Sequence, residues 1–184
     1  MKAKVFLSVV LTIVILSSCS LGGQHMFWQK QNTDVVTANS QFNMILSAIQ
    51  SQNTDALIAL ISPNALTNEQ EINKTINFLF SYCQGDLTPY EDWGGPTVEY
   101  VHENGQQRKE LFATYDVESG ENKYRFAFLY IAEDSANSRN VGVWSMYVIN
   151  WDDDTDTHFA YRGDGTYQSG IHIGIKNVLP YDES

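Results

Sequence analysis

The sequence predicts an α+β fold: three N-terminal helices packed on a curved antiparallel sheet of four to five strands. Two observations carry this. Apolar residues recur at helical spacing between Phe42 and Cys83, and from Thr97 onward the spacing drops from about 3.6 to 2, the period of a strand. Helices first and strands after exclude a doubly wound fold, in which the two alternate, so the helices must cover one face of the sheet.

Phe42, Ile45, Leu46 and Ile49 stand at i, i+3, i+4 and i+7, one apolar stripe on a helix over residues 33–52. Asn53 or Thr54 caps a second helix that runs through Ile61 and is stopped by Ser62-Pro63-Asn64. Thr67-Asn68-Glu69-Gln70 has the form of a capping box, in which hydroxyl and amide side chains satisfy free backbone N–H groups reciprocally. It opens a third helix with the stripe Ile72, Ile76, Leu79, Phe80 and Cys83, and Gly85 ends it. Strands are expected near 97–102, 109–117, 123–132, 141–150 and 171–175. Glu103-Asn104-Gly105, Glu118-Ser119-Gly120-Glu121-Asn122 and the polar stretch 134–140 turn the chain between them. On the third of these strands, Tyr124, Phe126, Phe128 and Tyr130 alternate with Arg125, Ala127, Leu129 and Ile131, so one sheet face is strongly aromatic. A sheet bent around a long helix forms a cone with a pocket between sheet and helices.

The N-terminus carries an address. Lys2 and Lys4 precede an apolar run over residues 5–16, broken only by Ser8 and Thr12, and small residues follow. That is the layout of a secretory signal, and the run falls short of the ~20 residues that span a bilayer. Leu16-Ser17-Ser18-Cys19 resembles a bacterial lipobox. The resemblance implies that the Cys19 thiol receives a diacylglyceryl group and becomes the mature N-terminus, whose two chains suffice for stable anchoring. The expected organisation is a lipoprotein signal peptide over 1–18, the lipidated cysteine and a tether over 19–32, and a single domain over 33–184. The domain would sit on the outer face of the cytoplasmic membrane. Cleavage before Cys19 would remove two of the eleven basic residues and none of the twenty-two acidic ones, taking the net charge from −11 to −13. So acidic a domain excludes nucleic acid, which requires clustered Lys and Arg. With Cys19 acylated, Cys83 has no partner for a disulfide, and its place on an apolar stripe reads as a small buried hydrophobe.

The segment from Ile45 to Pro63 with Ala65, the Asp92-Trp93-Gly94-Gly95-Pro96 loop, Tyr115-Asp116-Val117, Lys123-Tyr124-Arg125-Phe126 with Phe128-Leu129, and Asn140-Val141-Gly142 resemble an uncharacterised lipoprotein family of Gram-positive bacteria. That family is similar to the nuclear transport factor 2-like (NTF2-like) cone-shaped superfamily. The resemblance implies the fold and the location and is silent about chemistry, because the superfamily includes isomerases, dehydratases, hydrolases and non-catalytic binding domains.

Candidate sites follow from residue type. Trp93 offers a flat contact beside glycines that let backbone approach a ligand closely, or it plugs one end of the cone. Tyr124, Phe126 and Trp144 are the other ligand-contact candidates. His102, Asp116 and Tyr115 would form an acid/base set if they met inside the cone. Asp152, Asp154 and Asp156 alternate as in a calcium loop, but Thr157 and Gly163 stand where an EF-hand needs Gly and Glu, so a solvated acidic turn is expected. Arg162-Gly163-Asp164 is a three-residue match that turn chemistry explains. His25, His102, His158 and His172 show no metal-ligand spacing. No nucleophile elbow, phosphate-cradling loop or cofactor fingerprint is present. The expected function is a membrane-anchored, non-catalytic binding module for a small molecule, peptide or protein, without a cofactor. The alternatives are a hydrolase or isomerase acting inside the cone, and an immunity-type protein against a secreted toxin.

Overall fold

The computed structural model describes residues 21–69, 71–92, 95–151 and 168–174. The chain divides into two compact units, Met1–Val36 and Thr37–Ser184; the core, sheet and groove described here belong to the second. Among the described residues, four α-helices precede six strands: α1 (Leu21–Gln50), α2 (Thr54–Leu60), α3 (Pro63–Asn68), α4 (Ile72–Tyr82), then β1 (Thr88–Asp92), β2 (Thr97–Glu103), β3 (Gln106–Ser119), β4 (Asn122–Asp134), β5 (Gly142–Asn150) and β6 (Gly170–Ile173).

The α+β class stands, with three corrections to the elements. First, α1 begins at Leu21 rather than near Thr33, so the segment read as a tether is helical from that point. Its stripe is as expected: Phe42, Ile45, Leu46 and Ile49 are all buried. Second, Pro63 does not merely stop α2. It begins α3, with Ser62 as N-cap accepting from the Ala65 N–H at 3.1 Å, because proline's missing N–H costs nothing in a first turn. The supposed capping box therefore falls at the wrong end. The Thr67 hydroxyl lies inside α3 and donates to the Pro63 carbonyl, and α4 opens at Ile72 after Glu71, without a side-chain cap. Third, β1 was not foreseen, and the sheet is mixed: β6 pairs with β5 in parallel, while the other pairings between these strands are antiparallel. A parallel neighbour needs a long connection, which residues 151–169 provide.

The sheet runs β1-β3-β4-β5-β6, and β2 also pairs with β3. β3 is long enough to carry two partners end to end on one edge: β1 on residues 115–118 and β2 on residues 106–112. Bulges interrupt the register between Pro89 and Glu91, between Lys109 and Glu110, and between Leu129 and Tyr130. Each adds a residue to one strand and bends it, which curves the sheet over the helices.

One face of the sheet meets the helices. Tyr115, Val117, Tyr124, Phe126, Phe128, Met146, Val148, Ile171 and Ile173 form a single core with Phe42, Ile45, Ile49, Leu57, Ile76 and Leu79. Gly142 sits at φ 125°, and a Cβ there would stand 2.9 Å from the Ser62 nitrogen. Only glycine allows the start of β5 to approach the α2–α3 junction so closely. The Ser62 N–H donates to the Val143 carbonyl at 3.0 Å across that contact.

Candidate binding groove

The interior of the cone is filled. Phe42 is 1 % exposed and Phe126 and Phe128 are wholly enclosed; Phe42 packs edge-on against Phe126 and stacks with Phe128. The Tyr115 ring lies over Phe42, and its hydroxyl donates to Asn39 Oδ1 at 2.6 Å, so even the polar tip of this core tyrosine is satisfied locally.

A cavity of about 450 Å³ opens instead at the ends of two helices, within the range of small-molecule sites. The C-terminus of α1 contributes Ile49 and Gln50, with Gln52 just beyond. The last turns of α4 contribute Asn77, Phe80 and Ser81, and Cys83, Gln84 and Gly85 complete the lining. Ile49, Phe80 and Cys83 are buried and form an apolar floor; amides and a hydroxyl form the rim. Several rim groups are held in place. Gln50 Nε2 donates to the Leu87 carbonyl at 2.7 Å, Gln84 Nε2 donates to the Ser81 carbonyl at 3.0 Å, and the Ser119 hydroxyl donates to the Gln84 carbonyl at 2.5 Å. Gly85, at φ 86°, brings the backbone against Ser119 where a side chain would collide. Behind the floor, Tyr124 donates to the Tyr82 carbonyl and the Asn150 N–H donates to the Tyr82 hydroxyl. Burial pushes the Cys83 thiol up to about 12, so it is neutral and inert at physiological pH. The groove contains no group that is charged there.

The opposite face of the sheet is different in character. Asp116 and Arg125, directly opposed on β3 and β4, form a two-pronged pair with Nε–Oδ1 2.9 Å and Nη2–Oδ2 3.3 Å, buried at 0 % and 9 % side-chain exposure. The guanidinium also lies 4.3 Å from the centre of the Trp151 ring, a favourable cation–π placement. Nearby, Tyr147 stacks on His172 with centroids 4.5 Å apart.

The acid/base set does not assemble. Tyr115 and Asp116 are neighbours on one strand and leave it on opposite faces: the tyrosine into the core, the aspartate to Arg125. His102 is exposed and opposes Gln107, nine residues along β3 from Asp116, or roughly 30 Å at strand spacing. Among the ligand-contact candidates, Phe126 is sealed in the core and Tyr124 is buried beneath the groove. Trp144 is the extra residue of the β4–β5 bulge and packs half-buried against the core. Trp93, the lipidation candidate Cys19, the acidic run Asp152, Asp154 and Asp156, and the Arg162-Gly163-Asp164 tripeptide lie outside the described residues. Among the described residues no group of three or more His, Cys, Asp or Glu side chains could hold a metal ion, and no helix is long and apolar enough to cross a membrane. The rim amides Gln50, Gln52, Asn77 and Gln84 were not singled out in the sequence. The only signal there is that polar residues cluster where the two apolar stripes end.

An α+β domain, with four α-helices and six strands among the described residues, an aromatic-filled core and a neutral groove at its helix ends, is thus the class that fold and site define. The chain belongs to the family described as "Domain of unknown function (DUF5104)", whose profile matches residues 44–151, from the core half of α1 to the end of β5. No curated protein matches it significantly.

Proposed function

We propose that the protein is a lipid-anchored binding lipoprotein on the outer face of the cytoplasmic membrane. Its NTF2-like domain captures a ligand at the groove between the ends of α1 and α4, without catalysis. The observation that carries the binding reading is the groove itself, a cavity of about 450 Å³ with an uncharged lining, beside a core in which Phe42, Phe126 and Phe128 pack against one another. The dispersal of His102, Tyr115 and Asp116 supports the same reading. The helices on one face of a bulged, curved sheet support the NTF2-like assignment, and the apolar run ending in Leu16-Ser17-Ser18-Cys19 supports the anchor.

Two variants test the two halves separately. In cells fed labelled palmitate, the native chain is expected to take up label and sediment with membranes, while Cys19→Ser does neither; unaltered sedimentation of Cys19→Ser would remove the anchor. Ser81 is exposed on the groove rim, so Ser81→Trp fills the groove without entering the core. Native protein isolated from membranes is expected to release a small molecule, seen by mass spectrometry, that Ser81→Trp lacks. Equal yields from both would remove the groove.

A further inference from the structure

We infer that the groove at the ends of α1 and α4 takes a neutral, hydroxyl-rich ligand, a saccharide of one or two rings. The inference rests on the groove being the binding site and adds the chemical class of its occupant.

Charge is the first argument. Although the chain carries a net charge of −11, none of the nine groove residues is Asp, Glu, Lys, Arg or His. A charged ligand entering there would lose hydration and gain no counter-charge, which is costly. Both helices also point their C-termini at the groove, since α1 ends at Gln50 and α4 at Tyr82. The partial negative charge of two helix ends repels anions and favours groups that donate hydrogen bonds.

The rim provides the second. Four carboxamides, Gln50, Gln52, Asn77 and Gln84, and the Ser81 hydroxyl line the rim; Gln50, Gln84 and Ser81 each spend one donor on a backbone carbonyl, which leaves their oxygens and the second amide hydrogens of the two glutamines for a ligand. A carboxamide both donates and accepts, as a sugar hydroxyl does, so vicinal hydroxyls can be met in pairs. The buried ring of Phe80, with Ile49 and Cys83, gives an apolar floor for the C–H face of a sugar ring.

Peptides fit less well. An extended peptide gains affinity by adding to a strand edge, and no residue of a β-strand lines the groove. An amphipathic helix needs a broad apolar trough, whereas this rim is amide.

The test is a nitrogen–proton correlation spectrum of the full-length chain in phosphocholine-headgroup micelles, following the side-chain amides of Gln50, Gln52, Asn77 and Gln84. The probes are cellobiose and chitobiose, an anionic glucuronate disaccharide, and tetra-alanine. The neutral disaccharides are expected to shift these amides saturably. Asn77→Ala should weaken that response roughly three- to ten-fold, the worth of one hydrogen bond. Gln52→Gly, which accepts the φ of 50° at that position, should do the same, and the glucuronate should have no effect. If tetra-alanine shifts the rim amides and the sugars do not, the saccharide class is wrong and the groove stands. If the sugars shift only resonances elsewhere, the groove itself is wrong. Silence from every probe at millimolar concentration overturns the saccharide inference.

Discussion

Phe42 of α1 stacks flat on Tyr115 of β3, with ring centroids 4.0 Å apart and planes 8° from parallel. This pair joins helix to sheet at the centre of the core, because Phe42 also touches Phe126 and Phe128. Phe42→Ala should lose about 3–5 kcal/mol of stability, the usual cost of emptying a buried aromatic site, read as a lower urea midpoint. Phe42→Leu should retain most of that stability. A Phe42→Ala protein as stable as the native one would mean that the aromatic stack does not hold helix and sheet together.

The Asp116–Arg125 pair is buried enough that losing one partner strands a charge. Asp116→Ala should cost about 3–5 kcal/mol, whereas replacing both residues with apolar ones of similar size should cost far less. A double-mutant cycle measured by denaturant unfolding checks this: additive single effects would show that the pair is not coupled.

Gly142 predicts a steep penalty for a single methyl group. At φ 125°, with Ser62 N 2.9 Å and Leu60 O 3.1 Å from the added carbon, Gly142→Ala has to move β5 or the α2–α3 junction. A loss of at least about 2 kcal/mol is expected, seen as a drop in Tm. Gly105→Ala, where nothing lies within 4 Å of the new carbon, should cost about 1 kcal/mol from its positive φ alone.

Asp134 organises the turn before β5. Burial acts to raise its pKa from 3.8, but hydrogen bonds from Asn140, Asn137 and Ala136 and the charge of Arg108 outweigh it, and the net shift is downward. A carboxylate whose folded pKa lies below its unfolded value adds stability above the unfolded pKa and loses it as pH falls through the folded one. Asp134→Asn should therefore flatten the decline of stability below about pH 4. An unchanged acid limb would contradict this.

Cys83 predicts the opposite limb. Its thiol rises from 9.0 to about 12 on folding, so its contribution is complete below pH 9 and drains away between 9 and 12. The slope from this one group is up to about 1.4 kcal/mol per pH unit. Cys83→Ala should lack that component when the two alkaline unfolding curves are subtracted. The native thiol should also resist iodoacetamide at pH 8 until the chain unfolds; rapid labelling of folded protein would place Cys83 at the surface.

What could be read in advance follows from which signals are local. Phe42 to Ile49 and Ile76 to Cys83 announce their buried faces through periodicity, and the aromatic alternation from Tyr124 to Phe128 announces the sheet face that meets them. Pro63 misled because it both ends one helix and begins the next. Thr67 offered a cap motif that α3 uses internally. β1 escaped notice because Pro89 and the short run Thr88–Asp92 look like a loop; only pairing with β3 makes them a strand. The parallel placement of β6 and the groove were not legible at all, since both depend on residues far apart in sequence meeting in space. Gln50 and Asn77 come to line one groove only once the ends of α1 and α4 meet there.

The double tenancy of β3 has a corollary for insertions. Because Asp92 is fixed against Tyr115 and Thr97 against Phe112, β1 and β2 are each indexed on β3 independently, whatever the length of chain that joins them. Lengthening or shortening that connection by a residue should shift no side chain of β1 or β2 from one face to the other.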